Sequence, residues 1–268
     1  MNKTFIFDLD DTLIRTQHLY KFPQVELASV IENKLGYYAV NLSEISGILD
    51  EMEKKNLDFF NKEKNNKYSK ERYPKSFEDT FKYFCNKHNL DYTQKEINKV
   101  RSIANKAFNI KKEIIEDAEE VLNFLKGQGD ELILYTKGDN MIQEEKIRIN
   151  QLYQWFPKKN QDYFIVNDKN VNNLKGIIDK EKKRNFFLVD NSINSIGLAY
   201  LVGINGILIP FETWWHESNK KNKTKKEIKK DFLKKSLFYD EFKTLSDIKT
   251  NYNMIKAPPE QLILTFSK

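Results

Sequence analysis

Five short apolar runs recur along this chain: Phe5–Leu9, Glu131–Thr136, Tyr163–Val166, Asn185–Val189 and Gly206–Ile209. From the second run onward, each is separated from the next by a stretch with helical periodicity. Runs this short and this apolar read as strands buried on both faces. Helices are expected over Glu116–Lys126, stopped by Gly127, and over Gln143–Leu152, Val171–Lys182 and Ile193–Leu201. A strand–helix alternation of this kind specifies an α/β fold, a parallel sheet with helices on both faces. The chain shows no internal repeat.

The gap between the first two strands is helical throughout. Pro23 can open a helix that runs to Leu35 and stops at Gly36. Ser43 can cap a second, Glu44 to Phe60, and Phe77–His88 carries Phe77, Phe81 and Phe84 on one side. Thr93 and Glu96 form a capping box for a fourth helix with Ile97, Val100, Ile103, Ala104 and Phe108. The expected organisation is therefore a core of residues 1–15 and 115–268 interrupted by a helical insert, 16–114. Near the C-terminus, Lys220–Lys235 reads as an exposed amphipathic helix, Pro258-Pro259 as a break, and Gln261–Phe266 as a last edge strand.

Chemistry-bearing residues fall where the strands end. Asp8, Asp10, Asp11 and Thr12 follow the first strand, and Thr136, Lys169 and Asp190 stand at or after the next three. Open α/β sheets bind ligands at the carboxyl ends of their strands. Carboxylates crowded there resist ionisation unless a cation offsets them. A divalent metal with oxygen ligands is the simplest neutraliser, and Mg2+ suits few carboxylates combined with phosphate oxygens and water.

The string Asp8-Leu9-Asp10-Asp11-Thr12 resembles the D-x-D-x-T signature of the haloacid dehalogenase-like (HAD) superfamily, most of whose members transfer phosphoryl groups. The resemblance implies a HAD-like Rossmannoid core with an inserted C1-type helical cap. It makes Asp8 the catalytic nucleophile and Asp10 the catalytic acid and base. Thr136 matches the second motif and Lys169, with Ile177 at the usual spacing, the third; both would bind phosphate, and Lys175 competes with Lys169. The metal ligands implied are Asp8, the backbone carbonyl of Asp10, and Asp190 of the fourth motif. Here the chain departs from the family, for the second acid of that motif is replaced by Asn194 and Ser195.

Two further stretches resemble a subgroup of C1-capped hydrolases: Thr136-Lys137-Gly138-Asp139 with Gln143 and Lys146, and Thr213-Trp214-Trp215-His216-Glu217. Neither implies a catalytic role. Dehalogenation is disfavoured by Asp10, because a halide leaving group needs no proton. The function implied is a Mg2+-dependent phosphatase that hydrolyses a small phosphorylated metabolite through an aspartyl-phosphate. The alternative, raised by the missing acid, is a catalytically degenerate HAD-like protein that binds an anionic ligand or partner. A phosphomutase is a third option.

Composition narrows the setting. Much of the formal charge of +6 sits in Lys220–Lys235, where aromatics are not interleaved with the lysines as base-stacking platforms would be, so it does not point to nucleic acid. No apolar run is long enough to span a bilayer, and Met1-Asn2-Lys3-Thr4 leads straight into the first strand, so a cytoplasmic protein without membrane partners is expected. A monomer or homodimer is equally compatible with the sequence. Cys85, the only cysteine, excludes an intrachain disulfide and is expected in a buried helix position. His18 and His88 lack paired metal-ligand spacing.

Overall fold

The strand nearest the N-terminus lies in the middle of the sheet. In the computed structural model, which describes residues 3–36, 38, 40–64, 67–179, 185–210 and 239–255, the strands are β1 (Lys3–Phe7), β2 (Glu131–Lys137), β3 (Tyr163–Val166), β4 (Asn185–Asp190), β5 (Asn205–Leu208) and β6 (Tyr239–Glu241). They form one sheet in the order β3-β2-β1-β4-β5-β6, and every pairing is parallel. Strand order reverses beside β1, so the crevice above the carboxyl ends of β1 and β4 is the switch point where such sheets bind ligands. The sequence did not signal β6, a strand of three residues.

Residue alternation splits the sheet into two faces. Ile6, Ile133, Tyr135, Phe186 and Leu188 pack with Leu174 and Ile177 of α7 (Val171–Ile178) and Ala199 of α8 (Ile193–Leu201). Gly206 is required here, since a Cβ on it would lie 2.6 Å from Ile196 Cγ2 of α8. The opposite face carries the stacked rings of Phe5 and Phe187, with centroids 5.1 Å apart. Lys3 lies over the rings of Phe187 and Tyr252, and Tyr252 in turn meets Phe124 of α5 (Ala118–Gly127) edge-on. The short helix α9 (Ser246–Thr250) packs on α5.

The chain divides into two compact units. One takes in Met1–Arg15, Glu113–Lys137 and Asn150–Lys268 as far as these are described, and the other Thr16–Lys112 with Gly138–Ile149. The second unit holds α1 (Gln17–Leu35), α2 (Leu42–Lys64), α3 (Arg72–Lys87), α4 (Gln94–Asn105) and α6 (Asn140–Ile149). Its division from the sheet differs from the expected one in taking α6 with the helices. Leu27, Ile31, Leu49, Phe77, Phe81, Phe84, Val100 and Ala104 form its core, with Cys85 buried among them. Within the sheet unit, the segments that lead to and from the helices run antiparallel: the N–H of Arg15 donates to Glu113 O at 2.8 Å and that of Ile115 to Leu13 O at 2.9 Å.

Several helix starts differ from expectation. The first helix begins at Gln17 and carries Pro23 in its interior. The lost N–H of proline is outweighed by burial of Leu27, Ala28, Ile31 and Leu35 along one face. Asn41, not Ser43, caps α2: its Oδ1 accepts the Glu44 N–H at 2.8 Å, and the Ser43 hydroxyl donates to the same oxygen. The helix at α3 starts at Arg72 rather than Phe77, α5 at Ala118, and α6 spans Asn140–Ile149 rather than Gln143–Leu152. The capping box of Thr93 and Glu96 is formed. Helix α7 ends at Ile178, short of the expected Lys182. The expected helix at Lys220–Lys235, the Phe211–Glu217 segment and the Gln261–Phe266 strand lie outside the described residues.

Candidate active site

Asp8 leaves β1 one residue beyond Phe7, and its backbone N–H continues the ladder by donating to Val189 O at 2.9 Å. That bond fixes Asp8 beside the end of β4, whose last residue is Asp190. Lys169, in the loop between β3 and α7, reaches back to both: its Nζ is 2.6 Å from Asp8 Oδ1 and 2.6 Å from Asp190 Oδ2. All three side chains are nearly dry, with exposures of 10% for Asp8, 7% for Lys169 and 1% for Asp190. The other Asp190 oxygen accepts the Ser192 N–H at 2.8 Å. The Thr12 hydroxyl accepts the Asn191 N–H at 3.1 Å, tying the loop after β1 to the loop after β4.

Burial is the main reason that the Asp8 carboxyl is pushed up to about 7, and the charges of Asp190 and Asp10 add to it while Lys169 opposes them. Burial alone would lower the Lys169 ammonium, but Asp190 and Asp8 hold it above the ordinary lysine range. The acidic groups of Asp190 and Asp10 and the Lys169 ammonium thus lie within electrostatic reach of the Asp8 carboxyl. That surplus of hard, anionic oxygen suits a divalent cation. Among the described residues no three acidic, histidine or cysteine side chains are gathered as a metal set. The ligands expected here are two carboxylates and the backbone carbonyl of Asp10.

The loop after β1 turns sharply. Asp11 occupies the left-handed region at φ 58°, and its N–H donates to Ile14 O at 2.7 Å. Thr136 is buried at the carboxyl end of β2, paired in register with Ile165. Of the two lysines in competition, Lys169 joins Asp8 and Asp190, whereas Lys175 is exposed on α7. At the departure from the fourth motif, Asn194 is exposed and Ser195 buried. Asp139 caps α6 through Oδ1, which accepts the N–H groups of Met141 and Ile142. Gln143 and Lys146 are both buried on that helix.

One neighbour of the site went unread in the sequence. The Tyr135 ring lies 5.5 Å from Lys169 Nζ, and burial pushes its phenol up. The only signal was an aromatic residue directly before Thr136 in an otherwise aliphatic run.

Comparison with known proteins adds to this geometry. No family model and no curated protein matches the sequence. Among solved structures, a haloacid dehalogenase-like family hydrolase from Xanthomonas campestris superposes with a TM-score of 0.69 at 17% identity, over 95% of this chain and 91% of that one. The chain has the HAD-like fold. The HAD hydrolase YfnB from Bacillus subtilis, a structure bound to magnesium, aligns at TM-score 0.55 and 12% identity over 95% of this chain and 99% of its own. An L-2-haloacid dehalogenase from Xanthobacter autotrophicus with chloropropionic acid covalently bound gives 0.52 and 12% over 96% and 100%. In this HAD-like chain, Asp8, Lys169 and Asp190 thus meet at the switch point of the sheet. No described helix is long and apolar enough to cross a membrane.

Proposed function

We propose that this protein is a Mg2+-dependent phosphatase that hydrolyses a small phosphorylated metabolite. The observation that carries the reading is the Lys169 ammonium bridging Asp8 and Asp190 at the end of the central strand, with Asp10 two residues from Asp8. Asp8, once ionised, attacks phosphorus in line, and the ester oxygen leaves with a proton from Asp10. Asp10 then takes a proton from water, which attacks the phosphorus of the aspartyl-phosphate, releasing inorganic phosphate and restoring Asp8. Lys169 and the Thr136 hydroxyl hold the equatorial oxygens, the first by charge and the second without adding negative charge.

Asp8, Asp190 and the carbonyl of Asp10 would hold Mg2+, which supplies positive charge to the transferring phosphoryl group. The donor set supports this, as does the magnesium bound by the YfnB structure. In the same reading the helical unit is a C1-type cap that selects the substrate, and the protein acts in the cytoplasm as a monomer or homodimer.

Haloacid dehalogenases are among the structural neighbours, but Asp10 favours phosphate esters, since only an alkoxide leaving group needs a proton. A second reading, a non-catalytic binder of an anionic ligand or partner, is favoured by Asn194 and Ser195 in place of an acid. The discriminating assay follows phosphate release from an aryl phosphate and from sugar, nucleotide and carboxylate phosphates, and halide release from 2-haloacids, with Mg2+ or EDTA. The expected outcome is Mg2+-dependent phosphate release that falls at least about a hundredfold in Asp8→Asn and Asp10→Asn, in line with losing a nucleophile or a positioned acid. Equal inactivity of wild type and Asp8→Asn on every phosphate would favour the binder, and halide release the dehalogenase.

A further inference from the structure

Tyr135 is wholly buried on the face of the sheet covered by α7 and α8. Its phenolic oxygen is buried too and, among the described residues, has no hydrogen-bond partner, though the backbone N–H of Asn170 favours its ionised form. Buried tyrosine hydroxyls ordinarily find a partner, so this position draws little from the hydroxyl. The ring, by contrast, has a specific neighbour: Lys169 Nζ, 5.5 Å from its centroid and within cation–π range.

Lys169 needs such a neighbour. Its side chain has four rotatable bonds and starts from a loop, whereas the bridge requires one ammonium to sit within 2.6 Å of carboxylates from two different strand ends. Asp8 and Asp190 attract the ammonium, and the ring faces it from 5.5 Å.

We propose that Tyr135 is a positioning residue whose ring holds the Lys169 ammonium in the bridge between Asp8 and Asp190. The catalytic consequence rests on the reading of Lys169 as a phosphoryl-binding charge; the positioning does not. Loss of the ring leaves the charge in place but frees it to leave the bridge. The hydroxyl is dispensable.

The test compares Tyr135→Phe, Tyr135→Leu and Tyr135→Met, each alone, and the leucine change combined with Lys169→Met. The first readout is the 15N-filtered proton spectrum of lysine ammonium groups, which requires no turnover. A slowly exchanging Lys169 signal, assigned by its loss in Lys169→Met, is expected in wild type and Tyr135→Phe. It should vanish by rapid exchange in the leucine and methionine variants while their circular dichroism remains native. Methionine, unbranched and without a π face, serves if leucine does not fold.

The second readout is phosphate release. The leucine variant should lose about tenfold in kcat, the scale of one desolvated cation–π contact, while phenylalanine stays within about twofold. In the Lys169→Met background the leucine change should cost nothing more. Retention of the ammonium signal in both aliphatic variants overturns the proposal, and so does a loss in Tyr135→Phe as large as theirs. Absence of phosphate release from every protein overturns the phosphatase reading instead, and the ammonium signal still decides the positioning.

Discussion

A buried carboxyl group with other acids near it keeps its proton to a higher pH than one in water. Asp8 is raised from 3.8 to about 7, first by burial and then by Asp190 and Asp10. Between those values the folded chain holds a proton that the unfolded chain has released, so this group makes stability fall as pH rises through the window. In metal-free protein, 13C titration of the Asp8 carboxyl is expected to show a midpoint near 7, absent in Asp8→Asn, and excess Mg2+ should move it down because a cation favours the ionised form. A midpoint near the ordinary 3.8 without metal would contradict the burial argument. The sequence identified which acids stand at strand ends, because an apolar run followed by Asp is visible in one dimension. It did not distinguish Lys169 from Lys175 firmly, since that choice depends on where a loop returns across two strand ends.

Elements were legible where one local rule governs them. The capping box at Thr93 and Glu96 and the strand Tyr163–Val166 stand as read, because a reciprocal side-chain motif and a bounded apolar run each carry their own signal. Starts set by packing were not. Helix α1 runs through Pro23, and Asn41 supplies the cap that Ser43 was expected to supply. The segment returning from the helices depends on a contact with no local signature: Asn150, wholly buried, accepts the Glu113 N–H at 2.8 Å. Asn150→Ala leaves that N–H without its acceptor and should lower the unfolding free energy by about 1–2 kcal/mol, measured by denaturant titration. An unchanged midpoint would show that Asn150 does not hold the segment.

At the scale of the molecule, the parallel sheet follows from buried strands alternating with helices, and that much was plain in the order of apolar runs. The strand order was not, because β6 is too short to announce itself and pairing is a long-range choice. The order nevertheless decides the chemistry: with β1 between β2 and β4, Asp8, Thr136 and Asp190 share one sheet edge. In the proposed reaction Asp8 becomes phosphorylated there. The most direct measurement is borohydride reduction of protein acid-quenched during turnover of an aryl phosphate, followed by peptide mass spectrometry. Reduction of an aspartyl-phosphate leaves homoserine. Homoserine is expected at position 8 in wild type with Mg2+ and not in Asp8→Asn; phosphate release with no homoserine at position 8, or with homoserine elsewhere, would rule out the covalent intermediate on Asp8.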